Sequence, residues 1–429
     1  MTLRHTITGI FCAALIVVPI AAIAPPATAE PGPALPSFYD PPAPIPPGDP
    51  GDVIRAEPMS LALPLPARAT RIMYRSVDPA GAAVAVTGIV FDPTTPWSGP
   101  GVRPLVSFAV GTQGQGDQCA PSRLFGQLVH YVPPLDLMAE YDTTAVTELL
   151  ARGAAVVVTD YQGLGTPGTH TFLNATAEAN AVIDAARAAQ RLPGSTIPAA
   201  GPVLFWGYSQ GGHAAGAAAE RVGEYAPELD LRASYVGAPP ASLMDLGAYA
   251  DGTALSGAFG YMLNSMRAVY PDTIEVLDAA LNDEGKRMLE ESAGQCAAES
   301  VLRHGFRRSQ TWTTSGRPLF PDVIASDPRT LDAVAEQNLG NRRPTAPILV
   351  LTGDNDDIVP AAPARALVTR WCALGAIVQL IDLSAIPPIL PGTIIGHGIN
   401  SIAFQLTTAI PWLDDRLADR PAPTSCGPA

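Results

Sequence analysis

An apolar run that stops at a serine between glycines places the tightest constraint on the fold. Residues 202–206 read Pro-Val-Leu-Phe-Trp, and residues 207–212 follow as Gly-Tyr-Ser-Gln-Gly-Gly before a run rich in alanine. We interpret this pattern as a buried strand, a sharp turn at Ser209 and a helix that packs closely under a sheet. So tight a turn tolerates almost no side chain two residues before or after the serine, which is why Gly207 and Gly211 are needed.

A strand, turn and helix of this kind form the nucleophile elbow of α/β-hydrolases, which holds a serine hydroxyl exposed above a central sheet. The alternative is an ordinary glycine-containing connection, which a chain with 39 glycines can form by chance. The apolar run before Ser209 and the small side chains after it argue against that alternative.

Other apolar runs predict the rest of the sheet. Residues 69–75 and 83–91 flank an Asp-Pro-Ala-Gly turn and predict an opening hairpin. Helical patterns cover residues 176–192 and 402–417. The alternation predicts an α/β fold of the α/β-hydrolase type, with a mostly parallel central sheet flanked by helices. The remaining predicted strands are 103–110, 154–160, 231–237, 348–351 and 376–383.

Residues 239–344 interrupt this alternation, because they offer helix-like segments and turns but no convincing buried strand. We interpret them as a cap or lid inserted into a hydrolase core of residues 30–238 and 345–429. The core opens on residues 30–52, which are rich in proline and predict an extended, partly polyproline arm. The alternative for these residues is a disordered leader.

The first 29 residues have the features of a secretory signal peptide. Arg4 precedes an apolar stretch, and Ala27-Thr28-Ala29 forms a cleavage site, so the mature protein is expected to start at Glu30. The predicted location is extracellular or in the cell envelope. Cys12 falls inside the leader and lacks the small residue that precedes a lipidated cysteine. The four remaining cysteines are an even set, and two disulfides are expected in an oxidising compartment.

Charge and hydropathy limit the partners. The net charge is −14 and Lys286 is the only lysine, which argues against a surface that binds nucleic acid or an anionic membrane. After the leader, no stretch is long and apolar enough to span a bilayer.

The chain order of this fold, serine then acid then histidine, selects the catalytic base. Of the six histidines, only His397 follows the strand that resumes the sheet after residue 344. It lies between glycines after the last predicted strand, in a polar loop from which an imidazole can reach the elbow. The alternative for a single histidine in a loop is a surface position without function.

The acid should follow the predicted strand 348–351, where three aspartates compete. Asp356 fits a Gly-x-x-Asp-x-x-Val-Pro arrangement that α/β-hydrolases use. Asp354 and Asp357 then read as turn and helix-start carboxylates. Asp382, at the end of the following strand, is the least favoured candidate.

Several longer motifs lie at residues 38–42, 50–55, 74–76, 119–122, 160–165, 207–213 and 356–360. Together they resemble the secretory lipase family, typified by lipase A of a Candida yeast and including many actinobacterial members. The resemblance implies Ser209, Asp356 and His397 as the triad, lipase or esterase activity, a helical cap and no cofactor or metal. It also implies disulfides between Cys119 and Cys296 and between Cys372 and Cys426, out of three possible pairings.

One position departs from this resemblance. The yeast enzyme has an acidic residue that helps form its oxyanion hole, and counting back from Cys119 places Gln113 there. We expect Thr112 and Gln113 to donate hydrogen bonds from backbone or side chain, together with the amide of Gln210. The alternative is that residues 111–116 are merely a flexible turn.

These observations predict a secreted serine ester hydrolase, either a lipase or a carboxylesterase and most specifically a triacylglycerol lipase. Its substrate would be a lipid or small ester, with transient contact to a lipid interface. The alternatives are an acyltransferase that uses the same triad and a non-catalytic secreted binding protein on a hydrolase scaffold. An apolar stripe at helical spacing predicts an acyl pocket in residues 239–344, or else ordinary core. Its members are Leu255, Phe259, Met262, Leu263, Met266 and Val269.

Overall fold

A computed structural model of the protein describes residues 37–427. The predicted leader, residues 1–29, and the first part of the proline-rich arm lie outside the described residues. The described strands are β1 (Val53–Met59), β2 (Ala67–Val77), β3 (Ala83–Pro93), β4 (Leu105–Ala109), β5 (Val129–Val132), β6 (Asp136–Ala139), β7 (Ala155–Thr159), β8 (Val203–Tyr208), β9 (Leu231–Gly237), β10 (Ile348–Thr352) and β11 (Val378–Asp382).

Within residues 37–427, nine strands form one sheet in the order β1-β2-β3-β7-β4-β8-β9-β10-β11. Each of the first three strands pairs antiparallel with its neighbours, including β3 with β7. The other six strands run parallel to one another, in the spatial order β7-β4-β8-β9-β10-β11. The prediction of a mostly parallel sheet is therefore confirmed. The short strands β5 and β6 form a separate antiparallel hairpin.

Helices cover both faces of this sheet. The described α-helices are α1 (Pro121–Gln127), α2 (Thr143–Ala151), α3 (Ala175–Arg191), α4 (Gln210–Tyr225), α5 (Leu243–Ala250), α6 (Phe259–Val269), α7 (Ile274–Ala280), α8 (Asp283–Ser292), α9 (Ala297–His304), α10 (Pro328–Ala335), α11 (Ala361–Ala373), α12 (Ile395–Ile399) and α13 (Ile410–Leu417). A π-helical stretch, Asn400–Ala409, joins the last two. No helix in the described part of the chain is long and apolar enough to cross a bilayer.

The central strands are buried on both faces, which explains their continuous apolar sequences. Every residue of β4, β7, β8 and β10 is buried. Helix α4 approaches the sheet closely because its first residues lack bulk. A Cβ at Gly212 would lie 2.1 Å from the Gly237 carbonyl oxygen of β9. The carboxyl ends of β4, β8, β9 and β10 meet at one edge, where an α/β fold places its ligands.

Residues 239–344, here called the inserted segment, contain α5 to α10, and the described chain adds no strand to the sheet there. The segment supplies most of a second buried apolar cluster, separate from the core around the sheet. Its members include Phe259, Leu263, Leu277, Met288, Trp312 and Leu319. Helix α8 also carries the exposed Lys286.

Two disulfides connect distant parts of the described chain. Cys119 pairs with Cys296, which joins the segment before α1 to the inserted segment, and Cys372 pairs with Cys426 in the C-terminal tail. The first connection is reinforced by main-chain hydrogen bonds, because the Ala297 amide donates to the Gln113 carbonyl at 2.8 Å. The inserted segment is therefore tied to the loop that follows β4.

Candidate active site

The backbone at Ser209 adopts a conformation that few residues other than glycine adopt. Ser209 has φ 61° and ψ −124°, between the last residue of β8 and the first of α4. Such a conformation costs about 1–3 kcal/mol and persists only where the surroundings fix it. A Cβ at Gly207 would lie 1.9 Å from the Gly211 carbonyl oxygen, and one at Gly211 would lie 2.0 Å from the Ala109 carbonyl oxygen. Both positions therefore require glycine.

Asp356 and His397 are joined directly. The His397 Nδ1 lies 2.6 Å from Asp356 Oδ2, and both side chains are largely buried. The other carboxylate oxygen, Oδ1, accepts the backbone amides of Ile358 at 3.1 Å and Val359 at 2.9 Å. Because an ionised carboxylate can only accept, it holds the proton on Nδ1 and leaves the Nε2 lone pair free to accept another.

Tyr208 brings the imidazole to the elbow. Its ring lies 4.8 Å from the His397 ring, measured between centroids, and its hydroxyl donates to the His397 carbonyl at 2.8 Å. Since Tyr208 immediately precedes Ser209, this packing holds His397 against the residue next to the half-buried serine. In the described part of the chain, no hydrogen bond joins the Ser209 hydroxyl to His397. The structure thus pairs acid with histidine directly and connects histidine with serine through Tyr208.

The carboxylate of Asp357 anchors the histidine segment, a role that the sequence did not reveal. It accepts the backbone amide of His397 at 3.0 Å and that of Thr393 at 2.8 Å. The reading of Asp357 as a helix-start carboxylate is wrong, because α11 begins only at Ala361 and Asp357 points to the histidine segment instead. The buried side chains of Asn355 and Asn400 add a reciprocal amide pair, at 2.6 and 3.2 Å.

The other two candidate acids lie elsewhere. Asp354 is exposed and forms an ion pair with Arg365 at 2.9 Å. Asp382 binds the same guanidinium through both carboxylate oxygens, at 2.7 and 3.0 Å. Neither carboxylate contacts His397 in the described residues, so among the four aspartates considered, Asp356 alone meets the imidazole side chain.

The loop after β4 is held from several sides. Asp142 Oδ2 accepts the Gly111 amide at 3.0 Å, and the Tyr141 hydroxyl donates to the Thr112 carbonyl at 3.0 Å. Gln113 is 1 % exposed, and neither its side-chain oxygen nor its side-chain nitrogen has a partner among the described residues. Because these contacts fix the loop, they argue against the alternative of a flexible turn.

A narrow cavity of about 20 Å³ opens beside the serine. Thr112 and Gln210 line it with Ser209, whereas Gln113 does not. Leu255, Phe259 and Met262 of the predicted stripe form its wall on the side of the inserted segment. A larger groove, of about 740 Å³, lies between β1 and residues 192–195, and its lining contains none of Ser209, Asp356 and His397. The cavity beside the serine is lined by Thr112, Phe172, Leu173, Ser209, Gln210, Pro240, Leu246, Leu255, Ala258, Phe259, Met262 and Val359.

Two buried carboxyl groups lie behind the loop after β4. Burial raises the pKa of Asp142 to about 7, although the hydrogen bond from Gly111 opposes the shift. Burial, followed by the charge of Asp142, raises the pKa of Glu140 well above its usual range. The Asp142 amide donates to Glu140 Oε1 at 3.1 Å, while Glu140 Oε2 has no partner in the described residues. At a pH between the ordinary and the raised pKa values, the folded pair therefore keeps a proton that the same two groups would release in the unfolded chain.

The Asp142→Asn variant should lose part of the pH dependence of stability. A carboxyl whose pKa is higher in the folded state binds its proton more tightly there, so the free energy of unfolding falls as pH rises from about 4 to about 7. The difference in unfolding free energy between pH 4.5 and pH 7, measured by urea titration, should be smaller in Asp142→Asn than in wild type by on the order of 2 kcal/mol. Glu148→Gln, at an exposed position of α2, should keep the wild-type slope. Equal slopes in Asp142→Asn and wild type would show that Asp142 is ionised in the fold.

Comparison with known proteins gives the family of the chain. The family model described as "Secretory lipase" matches residues 132–425. A Mycobacterium tuberculosis protein named "Probable inactive lipase" is 28 % identical, over 91 % of this chain and 84 % of its own. A secreted triacylglycerol lipase of Malassezia globosa is 27 % identical, over 89 % of this chain and 78 % of its own.

Among solved structures, Candida antarctica lipase A in its closed state superposes with a TM-score of 0.75. It is 22 % identical in sequence, and the match covers 93 % of this chain and 89 % of that one. This likeness shows that the two proteins share a fold. Since the family model covers more than half of the sequence, the chain belongs to the secretory lipase family.

Proposed function

We propose that this protein is a serine ester hydrolase, a lipase or carboxylesterase, whose triad is Ser209, Asp356 and His397. The observation that carries the proposal is the 2.6 Å hydrogen bond from His397 to Asp356, at the sheet edge that holds the strained, half-buried Ser209. A buried carboxylate that orients an imidazole beside a serine is the arrangement that activates a hydroxyl for attack on a carbonyl.

In the proposed mechanism, Ser209 Oγ attacks the ester carbonyl while His397 Nε2 takes its proton. The tetrahedral intermediate collapses, and His397 returns that proton to the departing alcohol. Water then attacks the acyl-enzyme, with His397 again as base, and releases the acid. Asp356 keeps the imidazole in the required tautomer and stabilises its cation.

The negative charge that develops on the carbonyl oxygen needs hydrogen-bond donors. We assign the Gln210 amide, at the start of α4, and Thr112 to this role, since both line the cavity with Ser209. A donor in this position is worth about a hundredfold to a thousandfold in turnover. Gln113 would serve instead as a buried support of the loop, because its carbonyl accepts the Ala297 amide at 2.8 Å.

An uncharged lipid ester fits the surroundings of the site. Between Asp382 and Asp414, His397 is the only residue with an ionisable side chain. Several apolar side chains of this stretch are exposed, which suits transient contact with a lipid interface. The named activity of the Malassezia globosa relative supports triacylglycerol as the substrate class. The exposed apolar residues are Ile389, Leu390, Ile394, Ile395 and Ile402.

The inserted segment would act as a cap over the acyl site. A cavity of about 20 Å³ holds about one water molecule and no acyl chain. Leu255, Phe259 and Met262 would therefore have to shift before an acyl chain could lie beside Ser209. The two disulfides suit an oxidising compartment and support secretion.

The Met262→Trp variant should shift the preference for acyl length. Met262 lines the cavity beside Ser209, so a larger side chain would block long acyl chains before it blocked short ones. We expect the ratio of kcat/KM for a dodecanoate to that for a butyrate ester to fall at least about tenfold. Met266→Trp, one turn further along α6 and lining only a neighbouring cavity, should change the ratio less. A parallel loss of all activities and of thermal stability would instead identify Met262 as core.

Labelling by a p-nitrophenyl phosphonate tests the proposed function. An activated serine should react with one equivalent and release one equivalent of nitrophenol, and peptide mapping should place the adduct on Ser209. The second candidate is a non-catalytic secreted protein, which the name of the Mycobacterium tuberculosis relative favours. The absence of labelling, together with the absence of ester hydrolysis, would support that candidate.

A further inference from the structure

Four buried polar side chains beneath the elbow form a cluster, and none of these side chains has a step in the mechanism described above. Glu178 comes from α3, Gln210 and His213 from the first turn of α4, and His170 from the chain between β7 and α3. All four side chains are at most 2 % exposed. Buried polar groups of this kind are costly unless they are fully paired, so their pairing shows what they hold in place.

Glu178 is the centre of the cluster. Its Oε1 accepts the Gln210 side-chain amide at 2.8 Å and the Leu173 backbone amide at 2.9 Å. Its Oε2 accepts His213 Nδ1 at 2.8 Å. Gln210 and Leu173 both line the cavity beside Ser209. One carboxylate therefore fixes the residue after the serine and a wall of the cavity.

His213 balances the charge of Glu178. Its second nitrogen, Nε2, lies 2.9 Å from the Gln337 carbonyl, which can only accept, so both ring nitrogens carry hydrogen. Burial opposes this charge most strongly, but the hydrogen bond and charge of Glu178, the Gln337 carbonyl and the charge of Glu220 together raise the pKa of His213. The ring is an imidazolium paired with a carboxylate.

The Gln210 side chain is fixed at both of its hydrogens. Its Nε2 donates to Glu178 and lies 3.2 Å from His170 Nε2. The His170 Nε2 must then accept, and its Nδ1 donates to the Gln162 carbonyl at 3.2 Å. Burial lowers the pKa of His170, which agrees with a neutral ring. The Gln210 side chain therefore lies between the neutral ring of His170 and the carboxylate of Glu178, and these two contacts fix its orientation.

We propose that Glu178 is a positioning residue, which with the His213 imidazolium holds the Gln210 side chain and so keeps the Gln210 amide aimed at the developing oxyanion. A strained elbow needs such outside support, since Ser209 keeps its positive φ only where neighbours fix the chain on both sides. This inference rests on the proposed ester hydrolysis and deepens it.

Glu178→Gln tests the inference, with Asp184→Asn as the matched control. Asp184 is also a buried carboxylate of α3, but it bonds to Ser76, Tyr225 and Arg187, away from the elbow. The readouts are the rate of Ser209 phosphonylation, kcat and KM for p-nitrophenyl butyrate, and the folded fraction from circular dichroism. We expect Glu178→Gln to lower kcat and the phosphonylation rate about 10- to 100-fold with little change in KM. Asp184→Asn should lose thermal stability and keep kcat.

A second variant decides the matter if Glu178→Gln does not fold. Gln210→Met has nearly the same length but donates no hydrogen bond, and it leaves the pair of Glu178 and His213 intact. A similar fall in kcat supports the inference, and wild-type kcat in a folded Gln210→Met or Glu178→Gln protein overturns it while the proposed function stands. If the wild-type protein itself is neither labelled nor active, the proposed function fails first and this inference fails with it.

Discussion

Replacing Ser209 with alanine is expected to lower the turnover of a short ester by on the order of a millionfold and to leave the fold intact. The effect should be this large because Ser209 is the nucleophile of the proposed triad, and without its hydroxyl no acyl-enzyme forms. The side chain removed is small and half-buried, so thermal unfolding should stay close to wild type. Steady-state hydrolysis of p-nitrophenyl butyrate and a thermal melt measure the two quantities.

Ser122→Ala is the matched control for this experiment. Ser122 is fully buried and, like a catalytic serine, bonds to a carboxylate, since its hydroxyl donates to Asp160 at 2.5 Å. Among residues 37–427 no imidazole bonds to Ser122, so its loss should lower stability and leave kcat of the folded protein unchanged. Appreciable turnover by Ser209→Ala after removal of contaminating esterases would exclude Ser209 as the nucleophile.

Asp356→Asn should lower kcat about ten-thousandfold, because its surroundings dictate how the new amide is oriented. The backbone amides of Ile358 and Val359 both donate to one carboxylate oxygen, so the amide oxygen must face them. The NH₂ group then faces His397 Nδ1, which has to accept and so loses its proton. The imidazole is held in the tautomer that cannot accept the serine proton at Nε2.

The neighbouring aspartates provide graded comparisons for Asp356→Asn. Asp357→Asn can satisfy only one of the amides of His397 and Thr393, so we expect an intermediate loss of kcat from a displaced histidine segment. Asp354→Asn, on the surface with Arg365, should stay within about twofold of wild type. If Asp354→Asn were the most damaged of the three, the assignment of the acid would be wrong.

Local steric rules made the elbow and the main strands predictable. A serine in a tight turn requires glycine two residues before it and two residues after it. Both glycines stand in the six-residue stretch from Gly207 to Gly212. Strands buried on both faces leave continuous apolar runs, so β4, β7, β8 and β10 were each predicted to within two residues of their ends. These features depend on neighbours in sequence, which a pattern can record.

Contacts between distant segments were not predictable in the same way. The role of Asp357 depends on amides 36 and 40 residues later in the chain, and that of Glu178 depends on a histidine 35 residues away on another helix. No periodicity in the sequence reports such a pairing.

The helix predicted at 402–417 is a different case, because the sequence held a cue against it: Pro411 has no N–H to continue a helical ladder. The structure has a π-helical stretch before that proline and an α-helix from Ile410.

The single lysine has a practical consequence for observing the inserted segment. Lys286 is exposed on α8, so an amine-reactive fluorophore would attach to this segment at one place, with the chain's N-terminal amine as the other target. Separation of the chains labelled at Lys286 from those labelled at the N-terminal amine, checked by peptide mapping, would give a defined donor. A phosphonate that carries an acceptor dye would mark Ser209. Energy transfer between the two dyes would then report, in solution and in the presence of a lipid emulsion, how far α8 travels from the serine.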